Sequence, residues 1–371
     1  MKIVICGGHF SPAYALIEEF KKSKDIKIIF FGRKFTTEGS GNFSAEYKQI
    51  TQKNIKSRWI VAGRLQRVLS AYTLQALAKV PIGFLQSFFY LLTERPNLIV
   101  SFGGSLSLPV VFCGWLLGID SITHEQTIIP GLATRINSLF AKRVFVTWPQ
   151  TKNYFDNEKV ELIGNLTRKA IFNKKAKDEK IAQFLANKKK TIYITGGNQG
   201  SHVLNRFTFE WVKKIKDYQI IHQVGTANFK GDLKKAESIG EKNYLALELI
   251  KPEDIGAVLN GAYLIISRSG ANTCWEILQI KKPAILIPLP VSSGSEQEKN
   301  AMLLQKTGLA EVINQKDLNI ENVEKAVANI SGNYQKYKRK GELFVKNLPS
   351  GASQKLAKYI SVLKNAKDTN V

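Results

Sequence analysis

Lys2-Ile3-Val4-Ile5-Cys6-Gly7-Gly8-His9 begins the chain with a strand-forming run that meets a glycine pair at once, and Thr191-Ile192-Tyr193-Ile194-Thr195-Gly196-Gly197-Asn198 repeats the arrangement near the middle. A strand that ends on glycines and feeds a helix is how a doubly wound parallel sheet starts, because glycine lets the backbone turn tightly and approach a ligand closely. Two such starts predict two sheets. Outward from the first, apolar runs at 26–31, 98–101, 121–124 and 144–147 alternate with helical stretches; from the second, runs at 218–224, 263–267 and 284–288 do the same. That alternation predicts an α/β fold of two doubly wound, Rossmann-like domains facing each other across a cleft, with ligands at the carboxyl ends of the strands. The lysine-rich piece 173–190 lies between the two series of strands, and the boundary is placed near 165–169.

Composition bounds the function. A chain of 371 residues with 44% hydrophobic and 23% charged residues has material for two folded domains and is not a disordered chain. Fifty-four lysines and arginines against 30 acids leave a net charge of +24, which predicts an anionic partner. Cys6, Cys113 and Cys274 have no metal-ligand spacing and read as buried thiols in a reducing compartment. Residues 1–6 are a strand with no apolar signal region, so the N-terminus is expected in the cytosol. The uncharged segment 98–119 is long enough to span a bilayer. Its glycines, its proline and its serines favour a strand, a glycine turn and a buried helix instead.

Arg268-Ser269-Gly270-Ala271-Asn272-Thr273-Cys274-Trp275-Glu276 follows an apolar strand and opens a helix. A helix start presents unpaired N–H groups and a positive dipole end, which suits a diphosphate; Arg268 would add a fixed charge and Glu276 would accept from hydroxyls. The bland alternative is a capping pair, Thr273 with Glu276, after a turn at Gly270. Gly196-Gly197-Asn198-Gln199-Gly200-Ser201 also links a strand to a helix start but matches neither the dinucleotide nor the P-loop pattern. With no Asp-x-Asp pair in the chain, neutralisation of a diphosphate falls to Arg268 and the helix N-termini, and no metal site or cofactor is predicted.

Of the four histidines, His9 follows the first glycine turn, where a cleft is expected, and is a candidate base. His124-Glu125-Gln126 ends another strand, and Glu125 is the rival base or an orienting acid. His222 lies inside a strand and reads as structural; His202 stands at a helix start, where it would touch phosphate or cap.

Taken in order, Gly7-Gly8-His9-Phe10-Ser11-Pro12-Ala13, Gly103-Gly104-Ser105-Leu106-Ser107-Leu108-Pro109, His124-Glu125-Gln126, Pro130-Gly131-Leu132, Gly164-Asn165-Leu166-Thr167-Arg168, Gly196-Gly197-Asn198-Gln199-Gly200, Leu204-Asn205, Arg268-Ser269-Gly270-Ala271, Glu276 and Gln297-Glu298-Lys299-Asn300-Ala301 resemble the MurG family of GT-B glycosyltransferases. The resemblance runs from residue 3 to about 310. It implies an inverting, metal-independent transfer of GlcNAc from UDP-GlcNAc to the 4-hydroxyl of MurNAc in undecaprenyl-pyrophosphoryl-MurNAc-pentapeptide, at the cytoplasmic face of the cell membrane. It implies an acceptor domain over 1–165, a UDP-sugar domain over 166–345, and a helix and tail over 346–371 returning to the first domain. On the donor side it implies Arg168, Gly197, Asn198 and Asn205 lining the site and Arg268, Ala271, Asn272 and Thr273 at the diphosphate. Glu276 would meet the ribose, Gln297 and Asn300 the GlcNAc, and a residue within 250–255 the uracil. On the acceptor side it implies Gly7, Gly8, Gly104, Ser105, His124, Gln126 and Thr127, with His9 as base. The chain departs from the family in its first loop, shorter than the usual G-G-G-T-G-G-H. Further departures are Ser105 for an aromatic, Thr127 and Thr134 for asparagines, Asn198 for a serine and Glu296 for Gln or His.

The stretch 58–90 joins Arg58, Arg64, Arg67 and Lys79 to Trp59, Phe84, Phe88 and other apolar side chains, and reads either as a basic surface lying on anionic lipid or as helices packed on the sheet. Two other classes remain: a GT-B enzyme with a different acceptor or a UDP-GlcNAc epimerase, and a nucleic-acid-binding protein. The last lacks any reader motif, and its aromatics sit in apolar runs instead of alternating with basic residues, so no nucleic-acid partner is expected.

Overall fold

The computed structural model describes residues 1–21, 23–35, 43–61, 71–187, 189–227, 229–290 and 295–368. The chain divides into two compact units, Met1–Arg168 with Pro349–Val371, and Lys169–Leu348. The first contains β1 (Lys2–Cys6), α1 (Phe10–Phe20), β2 (Lys27–Gly32), α2 (Ala45–Gln52), β3 (Ser57–Trp59), α3 (Ala71–Glu94), β4 (Leu98–Ser101), α4 (Ser107–Leu116), β5 (Ser121–Glu125), α5 (Leu132–Phe140), β6 (Arg143–Val146) and β7 (Val160–Leu162). The second contains α6 (Glu179–Ala186), β8 (Lys190–Thr195), α7 (His202–Trp211), β9 (Tyr218–Gln223), α8 (Asp232–Glu237), β10 (Tyr244–Leu247), α9 (Ile255–Gly261), β11 (Ala262–Ser267), α10 (Ala271–Ile280), β12 (Ala284–Leu286), α11 (Glu296–Lys306), β13 (Ala310–Val312), α12 (Ile320–Gly332) and α13 (Tyr334–Lys346). The last helix, α14 (Ala352–Asp368), belongs to the first unit.

Every strand pairing in both sheets is parallel. Among the described residues the first sheet runs β3-β2-β1-β4-β5-β6-β7 and the second β10-β9-β8-β11-β12-β13. In each, the order reverses beside the strand that carries the glycine pair, β1 or β8, and ligand sites of open α/β sheets form at such switch points. β1 reads as one unbroken apolar run because both its faces are covered, as parallel sheets require. Ile3 and Ile5 join Leu16 and Phe30 on one side together with Leu356 and Ile360 of α14. Val4 and Cys6 join Val110 and Val111 of α4 on the other.

The uncharged segment 98–119 folds as β4, a glycine turn and α4, with Val110, Val111 and Cys113 buried. Among the described residues no helix is long and apolar enough to cross a membrane. All three cysteines are buried free thiols. Four strands escape a reading of apolar runs: β3, β7, β10 and β13. They are the edges of the two sheets, three or four residues long, and an edge strand with one neighbour does not need a continuous apolar run.

Candidate active site

In the first unit the loops after β1 and β4 are locked together at the switch point. Phe102 N donates to Cys6 O and Gly8 N to Gly103 O, both at 2.8 Å. Gly104 has φ +75°, and a Cβ there would stand 2.8 Å from Gly8 Cα, so this contact of backbone on backbone excludes any side chain. His9, the N-cap of α1, makes no side-chain cap. Its ring lies with Nδ1 3.0 Å from Phe102 O. A carbonyl only accepts, so Nδ1 carries the proton and the neutral ring holds its lone pair at Nε2. His9 is half-buried and Gly8 exposed.

The neighbouring loop after β5 is built by its own polar side chains. Glu125, buried, accepts from Thr127 N at 3.0 Å, Thr127 Oγ1 at 2.7 Å and Gly131 N at 3.2 Å. His124 is fully buried, with Nε2 2.9 Å from Gly164 O and Nδ1 3.0 Å from Gln126 Nε2. Burial is the main cause that lowers the His124 pKa to about 4, against the raising effect of the Gly164 carbonyl, so the ring is neutral at physiological pH. Sequence reasoning puts His124, Gln126 and Thr127 against an acceptor. The structure turns all three side chains inward, where they fix the loop; no more than 4% of any of them is exposed.

In the second unit the equivalent pair of loops follows β8 and β11. Gly200 has φ +84°, and a Cβ there would strike Val224 O. Thr226 N and Oγ1 donate to Asn198 O at 3.0 and 3.1 Å, and Gln223 Nε2 donates to Gly197 O at 3.1 Å, so β9 braces the loop from behind. The Asn198 side chain is exposed. α10 begins at Gly270, which has no side chain to cap it. A helix start with no side chain at its N-cap is the kind of end that receives an anion. Ala271 is buried; Asn272 and Thr273 are half-buried in this turn and Glu276 in the next.

Arg268 is where the structure corrects the sequence. Its guanidinium does not stand beside the helix start as an open charge. Nη1 donates to Ile287 O at 3.1 Å and Pro288 O at 3.3 Å, and Nη2 to Ser201 Oγ at 2.8 Å and Gln315 Oε1 at 2.6 Å. Burial lowers its pKa to about 10, still a cation at neutral pH. It ties β11, β12 and the cap of α7 together. Asn205 is buried likewise: Nδ2 donates to Asp232 Oδ2 at 2.8 Å and to Val224 O, and Oδ1 accepts from His222 Nε2 at 3.0 Å. His202 pairs with Asp232 at 2.9 Å and neither caps a helix nor stands alone. Asn300 Nδ2 reaches Ser269 O at 3.1 Å, and Gln297 Oε1 accepts from Leu289 N at 3.0 Å, so both hold the loop around Ser269. Ile250, within the segment assigned to a base, is positioned by Gln223 Oε1 on its backbone N at 3.0 Å. Arg168 ends the first unit, whereas the other donor-side residues belong to the second. Among the described residues no three His, Cys, Asp or Glu side chains gather as a metal-binding group.

The basic amphipathic surface is also revised. Arg64 and Arg67 lie outside the described residues. Arg58 is engaged with Glu94 (Nε 2.9 Å, Nη2 2.5 Å), as is Lys56 at 2.6 Å. Burial pushes the Glu94 carboxyl up, but the two cations outweigh it and hold its pKa below the usual carboxylate range. Phe84 and Phe88 pack on the core. Among the described side chains of α3, the exposed large apolar ones are Ile82, Leu85, Phe89 and Leu92.

The family description "Glycosyltransferase family 28 N-terminal domain" fits residues 6–146, and "Glycosyltransferase family 28 C-terminal domain" fits residues 191–355. The chain is 33% identical over 344 residues to a Clostridium perfringens protein named UDP-N-acetylglucosamine–N-acetylmuramyl-(pentapeptide) pyrophosphoryl-undecaprenol N-acetylglucosamine transferase, covering 91% of this chain and 92% of that protein. A protein of the same name from Borreliella burgdorferi is 35% identical over 303 residues, covering 80% and 78%. Among solved structures, Acinetobacter baumannii MurG superposes with a TM-score of 0.65 at 20% identity over 97% of this chain and 99% of that one. A UDP-GlcNAc 2-epimerase from Neisseria meningitidis superposes with 0.64 at 15% identity, over 98% and 100%; these two likenesses are of fold.

Proposed function

The chain belongs to the MurG family of glycosyltransferases, and from that premise we propose that it transfers N-acetylglucosamine from UDP-GlcNAc to the 4-hydroxyl of the muramoyl sugar in undecaprenyl-pyrophosphoryl-MurNAc-pentapeptide, making lipid II with inversion at the anomeric carbon. The observation that carries the mechanism is the approach of His9 Nδ1 to Phe102 O at 3.0 Å, which assigns the proton to Nδ1 and leaves Nε2 to accept. Nε2 then takes the proton of the 4-hydroxyl as that oxygen attacks the anomeric carbon from the face opposite UDP, and the anomeric C–O bond to UDP breaks. Glu125, with both carboxylate oxygens engaged by its own loop, is a positioning residue and not the base. The leaving diphosphate is met by the first turn of α10, at Ala271, Asn272 and Thr273, whose helix dipole is oriented before charge develops. Glu276, in the next turn, takes the ribose hydroxyls.

An acceptor held by a polyprenyl chain brings the enzyme to a bilayer. Ile82, Leu85 and Phe89 on α3, Trp115 and Leu116 on α4, and Leu132 and Leu139 on α5 are exposed apolar side chains on three successively packed helices of the first unit. With the excess of positive charge, such a surface suits peripheral binding to the anionic cytoplasmic leaflet. The test is transfer from radiolabelled UDP-GlcNAc to a short-chain lipid I analogue, followed by linkage analysis. A β-1,4-linked disaccharide lipid supports the reading. UDP-GlcNAc bound without transfer sends the search to another acceptor, and epimerised UDP-sugar formed from UDP-GlcNAc alone replaces the transferase with an epimerase.

A further inference from the structure

We infer that Arg33 is the cation that grips the diphosphate of the lipid-linked acceptor. The inference rests on the transferase reading above and adds to it a residue outside the glycine loops. Register places Arg33 there: Cys6 pairs with Phe31 on β2 and with Ser101 on β4, so the residues just past β2 and β4 flank the glycine turn of β1 on its two sides. The Arg33 side chain bridges them, with Nη2 2.5 Å from Ser105 Oγ. Beneath that bridge Gly8 and Gly104 meet backbone to backbone with no room for a side chain. Gly8 is exposed, and His9, Arg33, Gly104 and Ser105 are all partly exposed, whereas Gly7, Phe102 and Gly103 around them are buried.

The result is a backbone-floored opening with a guanidinium on one side and the base His9 at the next residue along the loop. An acceptor of the pyrophosphoryl class needs that pairing, because its diphosphate and the hydroxyl to be deprotonated belong to the same sugar and stand one ring apart. Arginine suits the task. Its planar fork matches phosphate oxygens, and a fork already held by Ser105 loses less freedom on binding than a loose lysine. Glu46 Oε1 accepts from the Arg33 backbone N at 2.6 Å. Burial raises the Glu46 pKa to about 7 against the lowering effect of Arg33. The serine at 105 is what admits the arginine, since a large aromatic ring there would occupy the path that Nη2 takes.

The experiment compares wild type with Arg33→Gln, which keeps a donor for Ser105 and removes the charge, and with Arg33→Lys. Two acceptors are used: a short-chain lipid I analogue, and a muramoyl pentapeptide whose anomeric oxygen carries an alkyl group in place of the diphosphate. In Arg33→Gln the KM for the diphosphate acceptor should rise about tenfold to a hundredfold, the range of a lost charge-assisted hydrogen bond. The KM for the alkyl acceptor and for UDP-GlcNAc should stay within about twofold. Arg33→Lys should fall between. Equal changes for both acceptors, or no change, overturn the inference, and an unchanged KM for UDP-GlcNAc shows that the variant is folded. If wild type uses neither acceptor, the transferase reading fails on its own. Binding of inorganic pyrophosphate with UDP saturating then decides this site: retained by wild type and lost in Arg33→Gln supports it, and equal binding by both removes it.

Discussion

Arg268 Nη2 donates to Ser201 Oγ at 2.8 Å, so the residue that follows β11 grips the cap of α7 and joins the two loops at the switch point of the second sheet. The charge is a brace for those loops. Arg268→Ala strands the acceptors at Ile287, Pro288 and Gln315 and should lower the unfolding free energy by about 3 kcal/mol. Ser201→Ala removes one bond and should cost about 1 kcal/mol. Denaturant unfolding of both variants checks the order; equal stability of Arg268→Ala and wild type would show the guanidinium to be an open ligand contact after all.

His9→Ala should reduce transfer by about a hundredfold to ten-thousandfold while UDP-GlcNAc binds as before. Single-turnover rates with calorimetric binding separate the two effects. Near-normal turnover in the variant rules out His9 as the base.

Glu276→Ala should weaken UDP by about tenfold to a hundredfold, as expected for lost hydrogen bonds to a charged acceptor. Titration calorimetry with UDP and with UMP reads the loss; unchanged affinity for either ligand would take the ribose assignment away from Glu276.

Acid should unfold the protein through its buried histidines. Both are neutral in the fold, with pKa lowered by burial to about 4 for His124 and about 3 for His222. The unfolded chain therefore binds protons below about pH 6.5 that the folded chain refuses. The stabilisation each provides is complete above pH 6.5 and disappears as pH falls through the folded pKa, about 3 kcal/mol for His124 by pH 4. Chemical unfolding from pH 7 to pH 4 should show the decline, and His124→Gln should flatten it. An identical slope in that variant would refute the assignment.

Leu85→Gln with Phe89→Gln should weaken binding to vesicles containing anionic lipid by about tenfold per residue, because each side chain is more than half exposed and available for burial. Activity on a soluble acceptor analogue should be unaffected. Co-sedimentation of both forms is the measurement, and persistent binding would move the anchor to another surface.

How far the molecule can be read from its residues depends on what each feature needs. The central strands are legible because strands covered on both faces must be apolar throughout, as 191–195 are. The edge strands β3, β7, β10 and β13 are not, because one partner suffices to hold them. Gly7-Gly8 and Gly270 announce their loops through the backbone alone. Side chains were harder. Arg268 and Asn205 have the chemistry of ligand contacts, yet the carbonyls just past β12 and Gln315 claim the first, and Asp232 and His222 the second, and those partners come from distant parts of the chain. The reach of Arg33 is illegible for the converse reason: nothing near it in sequence shows that it meets Ser105.

α14 carries a consequence for biosynthesis. Ribosomes deliver the first unit's sheet early, but Leu356 and Ile360, which complete its core against Ile3, Leu16 and Phe30, emerge only after the whole second unit has been translated. The unit begun first is therefore finished last, and until α14 docks a nascent chain exposes an apolar seam beside β1 for chaperones to cover.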